Sequence, residues 1–351
     1  MSPAINQQGW VQTWVTSRWK NPSIPGQFSA EINTVLPNLF QPASILALFL
    51  AFGAFEPAIF TWGNISNIAI QASYLTVFAL AQTFVVIVRG FDLSLGTTVS
   101  LISVGATMVM VWVANATGSD VTALVACIAT GMAIGLLVGA VNGFVVATWQ
   151  LNPFIVTLAT LNICMGFATT ISGGFQIFNV PSILNDVFYR GSILGIPAPV
   201  IACIILLVVS HLVLTRLRLG RALFLIGSNP RAADVAGIPV RKYTVLAYVL
   251  CSGIVALGAL LLTARTGSGE PNLGGNLMLE SIAAAVMGGA SLRGGKGNVA
   301  SPLFGALVIT VLSNGMNLVR IDGYIQQIIL GLVITATVAL QARTEGRRAA
   351  Q

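Results

Sequence analysis

The sequence predicts an all-α protein: a polytopic transmembrane helical bundle of about ten helices. Of its 351 residues, 56% are hydrophobic and only 8% are charged, whereas a soluble domain has roughly 25% charged residues. Apolar runs also recur along the chain between polar or Gly/Pro segments, and a helix that crosses lipid needs about 20 such residues. These two observations argue strongly against a soluble fold. The net charge of +7 fits a membrane protein better than a nucleic-acid-binding protein, because the basic residues lie on no continuous soluble segment.

Ten apolar segments are candidate spans, and they divide the chain into three parts. The eighth span is short, which is typical of a broken or re-entrant helix. Residues 1–42 form a retained N-terminal extension, residues 43–341 a transmembrane domain, and residues 342–351 a C-terminal tail. The predicted spans are 43–60, 65–88, 93–113, 121–148, 153–172, 198–215, 243–264, 278–290, 299–318 and 323–341.

We expect no cleavable signal peptide in the N-terminal extension, since it has neither a short apolar core nor a small-residue cleavage site. Trp10, Trp14 and Arg18 recur every fourth residue. This spacing predicts an amphipathic helix at the level of the lipid headgroups, and a disordered leader is the alternative.

The basic residues predict the orientation of the bundle. If both termini are inside, fourteen of the 17 basic residues fall on the inner side, as the positive-inside rule requires. Only Arg190, Arg265 and Arg320 fall outside. We therefore expect cytoplasmic N- and C-termini.

Glycines and uncharged polar side chains occur within the spans. Gly131, Gly135, Gly139 and Gly143 repeat every fourth residue, which predicts a flat face for close helix packing. Amides in hydrocarbon must find partners, either across helices or along a watered path. We consider four amides as candidates for a translocation path, with helix-to-helix contact as the alternative: Gln82, Asn142, Asn162 and Asn314.

The inner loop 216–242 holds six basic residues and predicts a short structured helix. Asn229 is suited to cap a helix whose first residue is Pro230. Gly237 then supplies a left-handed residue after the helix, and Pro239 prevents its continuation. A pre-shaped helix on the inner face suits the docking of a partner, and a connector packed on its own domain is the alternative.

No catalytic, metal or nucleotide site is evident from the sequence. The four cysteines and the single His211 lie in apolar runs without ligand spacing. Lys296 follows Gly295, but the following residue is Gly297, so the loop lacks the hydroxyl of a Walker A motif. The sequence also shows no pairing of an aromatic residue with a carboxylate of the kind that is typical of sugar binding. We therefore expect neither an enzyme nor a bound cofactor or metal.

Four stretches resemble one transporter family when taken together. The family is the membrane subunit of ribose-type monosaccharide ABC importers, which also includes xylose, arabinose, galactose and autoinducer-2 permeases. The resemblance covers about residues 65–340. The stretches are Arg89 to Gly96; Val141 to Gly143 with Pro153 to Leu158; Ile226 to Pro230 with Ala236 to Ile238; and Ala284 to Gly289 with Gly294 and Gly295.

The resemblance implies an importer in the bacterial inner membrane, driven by a separate ABC ATP-binding subunit that holds ATP and magnesium. It also implies a periplasmic sugar-binding protein and a second permease subunit, identical or related. The family's signature turn falls on Gly90, Asp92, Ser94 and Gly96, where Asp92 is placed to cap the third span. The implied ATPase-coupling residues are Gly227, Asn229, Pro230, Ala232, Ala233, Asp234 and Gly237.

Two other classes of transporter stay open at this point. A stand-alone facilitator or channel for small neutral solutes would also use glycine-rich helices. A secondary carrier is less favoured, because ion coupling usually needs acids within the membrane and none lies in the middle of a predicted span.

Overall fold

The computed structural model describes residues 42–349, and within that range almost all of the regular structure is helical. The predicted N-terminal amphipathic helix lies outside the described residues. One two-stranded antiparallel hairpin, β1 (Ser192–Ile193) with β2 (Ile196–Pro197), and one 3₁₀ helix, Pro57–Phe60, complete the described fold. The α-helices are α1 (Pro42–Phe55), α2 (Trp62–Ile87), α3 (Leu95–Thr117), α4 (Asp120–Trp149), α5 (Pro153–Ser172), α6 (Ile183–Phe188), α7 (Ala198–Arg216), α8 (Arg218–Ser228), α9 (Pro230–Val235), α10 (Val240–Thr266), α11 (Leu277–Met287), α12 (Ser301–Leu318) and α13 (Gly323–Ala349).

The prediction of a polytopic helical bundle is confirmed, and each of the ten predicted spans contains an apolar helix. Among the described helices, seven are long and apolar enough to cross a membrane: α2, α3, α4, α5, α7, α10 and α12. The spans predicted at 43–60, 278–290 and 323–341 contain shorter apolar helices. Helix α11 has 11 residues and is about 17 Å long, so it is too short for a hydrocarbon core of about 30 Å.

Helix α2 occupies the centre of the bundle. Its most apolar stretch is 89% buried within the protein, and it packs against α7, α10, α11 and α12. Phe78, Phe84 and Leu80 are almost completely buried. A helix that is apolar on all sides is expected in such a buried position. Through these contacts, α2 connects elements at the two ends of the bundle.

The glycine repeat of α4 packs directly against α10. A Cβ atom built on Gly135 would lie 2.7 Å from the Cβ of Ala256, and one on Gly139 would lie 2.6 Å from the carbonyl oxygen of Tyr248. A Cβ on Gly143 would approach the Cα of Val245 to 2.9 Å. These glycines therefore allow the two helix backbones to come into close contact.

Replacing Gly139 with alanine is expected to destabilise the bundle by about 1–3 kcal/mol, because the methyl group overpacks the contact with α10. Gly166 is the matched control, since it lies in α5 and a Cβ there meets no atom within 4 Å. Thermal unfolding of the purified variants measures the difference. Equal midpoints for Gly139→Ala and Gly166→Ala would contradict the packing role.

Candidate functional site

Helix α9 is a short helix with well-defined ends. The Asn229 Oδ1 accepts a hydrogen bond from the Ala232 backbone N–H at 3.1 Å, and Pro230 is the first helical residue. Pro230 loses no hydrogen bond there, because the first amides of a helix have no internal partner. Asn229 and Pro230 therefore define where α9 begins.

The other end of α9 is closed by a Schellman motif centred on Gly237. Its φ of +79° is in the left-handed region that glycine adopts readily. The Ile238 N–H donates to the Ala233 carbonyl at 3.0 Å, and the Gly237 N–H donates to the Asp234 carbonyl at 2.9 Å. These two bonds turn the chain sharply from α9 towards α10.

Helix α9 presents most of its surface to the surroundings. Of the predicted coupling residues in this helix, Ala232 and Asp234 are exposed, whereas Ala233 is buried and packs on the bundle. Val235 is 91% exposed and was not among the predicted residues. An apolar side chain at the tip of a short, capped helix is the sequence signal that identifies it.

A groove with a volume of about 700 Å³ runs beside α9, between the C-terminal end of α4 and the start of α10. Arg231, Arg241 and Lys242 line it together with Asp234. The groove is therefore predominantly basic and continuous with the exposed face of α9.

Three chain segments meet directly behind α9, and we call this contact the inner junction: Ile87 to Arg89, Gly227 to Ser228, and Gly294 to Gly295. The Arg89 Nε donates to the Gly227 carbonyl at 2.6 Å, and an Arg89 Nη donates to the Ser228 carbonyl at 2.5 Å. The Gly295 N–H donates to the Ile87 carbonyl at 2.9 Å. The predicted coupling segment 227–238 is thus attached by hydrogen bonds to Arg89, two residues beyond the end of the central helix α2.

The inner junction requires glycine at Gly227, because a Cβ there would lie 1.8 Å from the Ile87 carbonyl oxygen. In the sequence, the loop 288–297 lacks a Walker A motif and contributes to the family resemblance, but nothing in it predicts the contact with α2. The adjacent Gly294 and Gly295, both with positive φ, mark a loop shaped for close backbone approach. That dipeptide is the signal that indicates a structural role.

The signature turn forms a buried polar cluster between α2 and α3. The Asp92 Oδ1 accepts from both the N–H and the hydroxyl of Ser94, at 2.9 and 2.5 Å. The Asn142 amide donates to the Ser94 hydroxyl at 3.0 Å, and the Thr160 hydroxyl donates to the Asn142 Oδ1 at 2.6 Å. The turn is thereby joined to α4 and α5.

The prediction that Asp92 caps the third span is wrong in detail. Its Oδ1 accepts from Ser94, the residue before α3, and its Oδ2 accepts a long contact of 4.0 Å from the Cys251 thiol, so Asp92 closes the turn that leads into the helix. Burial raises the pKa of Asp92, and the hydrogen bonds from Ser94 partly offset this effect.

The two glycines of the signature turn make close contacts with other elements. A Cβ on Gly90 would lie 2.6 Å from the Tyr248 hydroxyl, and one on Gly96 would lie 3.1 Å from the Gly274 carbonyl oxygen. Gly90 therefore brings the turn against α10, and Gly96 brings α3 against the segment before α11.

The four amides considered for a translocation path lie in different surroundings. Asn142 belongs to the cluster just described, and Asn314 exchanges two hydrogen bonds with Asn64, at 3.0 and 2.9 Å. The Asn162 amide donates within its own helix to the Leu158 carbonyl. Gln82 is fully buried, and neither of its amide atoms has a hydrogen-bond partner. Gln82 therefore has unused hydrogen-bonding capacity, and a shared path stays a prediction.

These features define a multi-pass helical membrane protein with a capped, exposed helix fixed to its central span. Residues 64–338 match the family described as "Branched-chain amino acid transport system / permease component". Because this match covers most of the chain, the protein belongs to that permease family.

Three curated relatives align along most of both chains. The probable ABC transporter permease protein y4mJ of Sinorhizobium fredii is 36% identical over 88% of this chain and 90% of its own length. The D-allose transport system permease protein AlsC of Escherichia coli is 33% identical, over 84% of this chain and 89% of its own length. The ribose import permease protein RbsC of Escherichia coli is 33% identical, over 86% and 92% respectively. No solved structure matches the chain.

Proposed function

We propose that this chain is the membrane-spanning subunit of an ABC importer that carries a monosaccharide, or a related polyhydroxylated solute, into the cytoplasm. The observation that carries the proposal is the attachment of the exposed helix α9 to the end of α2 at the inner junction. A displacement of α9 would be transmitted to the central helix through the hydrogen bonds that the Arg89 side chain donates to backbone carbonyl groups. Such a connection suits alternating access driven by a docked motor.

The motor is a separate ATP-binding subunit, which holds ATP and magnesium and docks on α9 and its basic groove. A periplasmic sugar-binding protein delivers the solute, and a second permease subunit, identical or related, completes the path. The chain lies in the bacterial inner membrane with both termini in the cytoplasm. Arg89, the coupling segment and the loop 288–297 are all predicted to be inside, and their contact at one junction supports this orientation.

The sugar class is supported by the relatives whose names specify allose and ribose, whereas the family description names branched-chain amino acids. Two alternatives within transport are a permease for a different solute, such as autoinducer-2, and a stand-alone facilitator. The distinguishing measurement is uptake into liposomes that contain the chain with its co-encoded ATPase and binding protein.

We expect uptake of at least one of D-ribose, D-allose and L-arabinose, dependent on both ATP and the binding protein. L-leucine serves as the comparison solute, and the chain alone serves as the second comparison. Uptake by the chain alone without ATP would contradict the proposal in favour of a facilitator. Uptake of L-leucine in place of the sugars would contradict the sugar class.

A further inference from the structure

A second cavity lies at the end of the bundle opposite α9, and we call it the α11 cavity. It has a volume of about 230 Å³, opens to the surroundings and is lined by residues of α2, α10, α11 and α12. It extends from the last turn of α10 and the first turn of α11 to Tyr74, near the middle of α2. The lining side chains with hydrogen-bonding groups are Gln71, Tyr74, Arg265, Glu280, Thr310 and Ser313.

Several of these groups have hydrogen-bonding capacity that the protein does not use. Tyr74 is only 3% exposed, yet its hydroxyl has no hydrogen-bond partner. Arg265 and Glu280 carry opposite charges, but the one ion pair within 4.0 Å in the described part of the chain joins Arg190 and Asp186. Buried polar groups in native proteins are normally satisfied by protein, water or ligand, and this applies to the Tyr74 hydroxyl, whereas Glu280 is half-buried and Arg265 is exposed. The α11 cavity therefore contains groups that a ligand can satisfy.

The chemistry of the lining selects the class of ligand. One positive and one negative side chain leave the cavity without net charge, which disfavours an anion or a cation. The Arg265 guanidinium lies 5.9 Å from the centre of the Tyr74 ring, so an aromatic surface adjoins donors and acceptors. A ligand with several hydroxyl groups donates and accepts in many directions, as this mixture of amide, hydroxyl, carboxylate and guanidinium requires.

The size of the cavity agrees with this chemistry. A volume of about 230 Å³ is several times the ~30 Å³ that one water occupies in the liquid. It is also below the ~300–1,000 Å³ typical of sites for drug-sized ligands. A solute of monosaccharide size fits between these limits.

The α11 cavity also lies next to a buried cluster rich in alanine, which we call the alanine seam. Leu75 and Ile309 line the cavity and belong to a buried cluster that includes Ala79, Ala284 and Ala306. Gln82 lies seven residues beyond Leu75 in α2, about 10 Å closer to the inner junction. It is the next buried polar side chain with unmet hydrogen bonds in that direction along the same face of the helix.

We propose that the α11 cavity is a binding site for a neutral polyhydroxylated solute of monosaccharide size, held by the permease chain itself. The inference deepens the proposed function and rests on it. Tyr74, Glu280 and Arg265 supply the aromatic, acceptor and donor groups of the site. The solute enters from the end of the bundle that carries Arg265 and Leu277, and the alanine seam separates it from the inner side.

The test is direct binding of D-ribose, D-allose and L-arabinose to the purified full-length chain in lipid nanodiscs, measured by saturation-transfer NMR. We expect saturable binding of at least one sugar, weakened at least tenfold by Glu280→Gln and by Tyr74→Phe. Glu270→Gln is the matched control, because Glu270 precedes α11 but lies outside the cavity lining. Tyr74→Phe removes only a hydroxyl without a protein partner, so it is expected to leave the fold intact.

Two outcomes would overturn this site. One is the absence of saturable binding of all three sugars to the unaltered chain. The other is equal affinity of the unaltered chain, Tyr74→Phe and Glu280→Gln. ATP-driven uptake by the complete transporter is measured in parallel. If ATP-driven uptake persists and the cavity variants have no effect, the proposed transport function stands and the binding site is rejected. If the chain binds sugar but the complete transporter shows no ATP-driven uptake, the binding site stands and the proposed transport function is rejected.

Discussion

Replacing Gly237 with valine is expected to reduce uptake by the complete transporter to less than a tenth, while the chain remains in the membrane. Gly237 has a φ of +79°, which a β-branched residue adopts only with strain of about 1–3 kcal/mol. Relief of that strain breaks the two hydrogen bonds that close α9. Because α9 has only six residues, it has no other internal means of holding its direction.

Gly118→Val is the matched control for this effect. Gly118 ends α3 with a φ of +65°, and a Cβ there, as at Gly237, meets no atom within 4 Å. The two substitutions therefore impose similar local strain. The two glycines are predicted to lie on opposite sides of the membrane. Membrane level, co-purification with the ATPase and uptake are measured for both. Normal uptake with Gly237→Val, or equal loss with Gly118→Val, would contradict a specific coupling role for α9.

The helices and the ends of α9 follow from local rules, so the sequence alone could predict them. Apolar runs locate the spans because lipid leaves backbone groups no partners outside a helix. Asn229, Pro230 and Gly237 locate α9 because a cap, a first-turn proline and a left-handed glycine act within a few residues. The repeat from Gly131 to Gly143 similarly indicates a packing face, although it does not identify α10 as the neighbour.

Contacts between distant segments could not be predicted in this way. Arg89 and Gly227 are separated by 138 positions, and no periodicity relates them. The α11 cavity is a stronger case, because its side chains come from four helices and Tyr74 and Glu280 have no common motif. Only the packing of α11 beside α2 brings an aromatic ring and a carboxylate to one cavity.

The amides within the spans show that the sequence also does not predict which single polar residue finds a partner. Their position within apolar spans predicts that each needs a partner, and this holds for Asn142 and Asn314. Gln82 is the exception, since it is buried without one. The sequence does not distinguish these cases, because the partners of Asn142 lie on α5 and before α3, whereas Gln82 faces no such group.

Replacing Gly227 with alanine is expected to abolish ATP-dependent uptake, because it separates α9 from the central helix. A Cβ at this position would lie 1.8 Å from the Ile87 carbonyl oxygen and 2.4 Å from the Gly295 nitrogen. Both are backbone atoms, so no side-chain rotation can relieve the overlap. The end of α8 must move away from α2, and the hydrogen bonds of Arg89 to Gly227 and Ser228 are lost with it.

Ser228→Ala is the matched control, since it changes the next residue and keeps the backbone carbonyl that Arg89 contacts. We expect near-normal uptake with Ser228→Ala and less than a tenth of it with Gly227→Ala, at equal membrane levels. ATP hydrolysis separates two explanations of a loss. If α9 still docks the ATPase but no longer moves α2, hydrolysis by the Gly227→Ala complex continues without uptake. Normal uptake by Gly227→Ala would show that force does not pass through the inner junction, since the contact that joins α9 to α2 cannot survive a methyl group at this position.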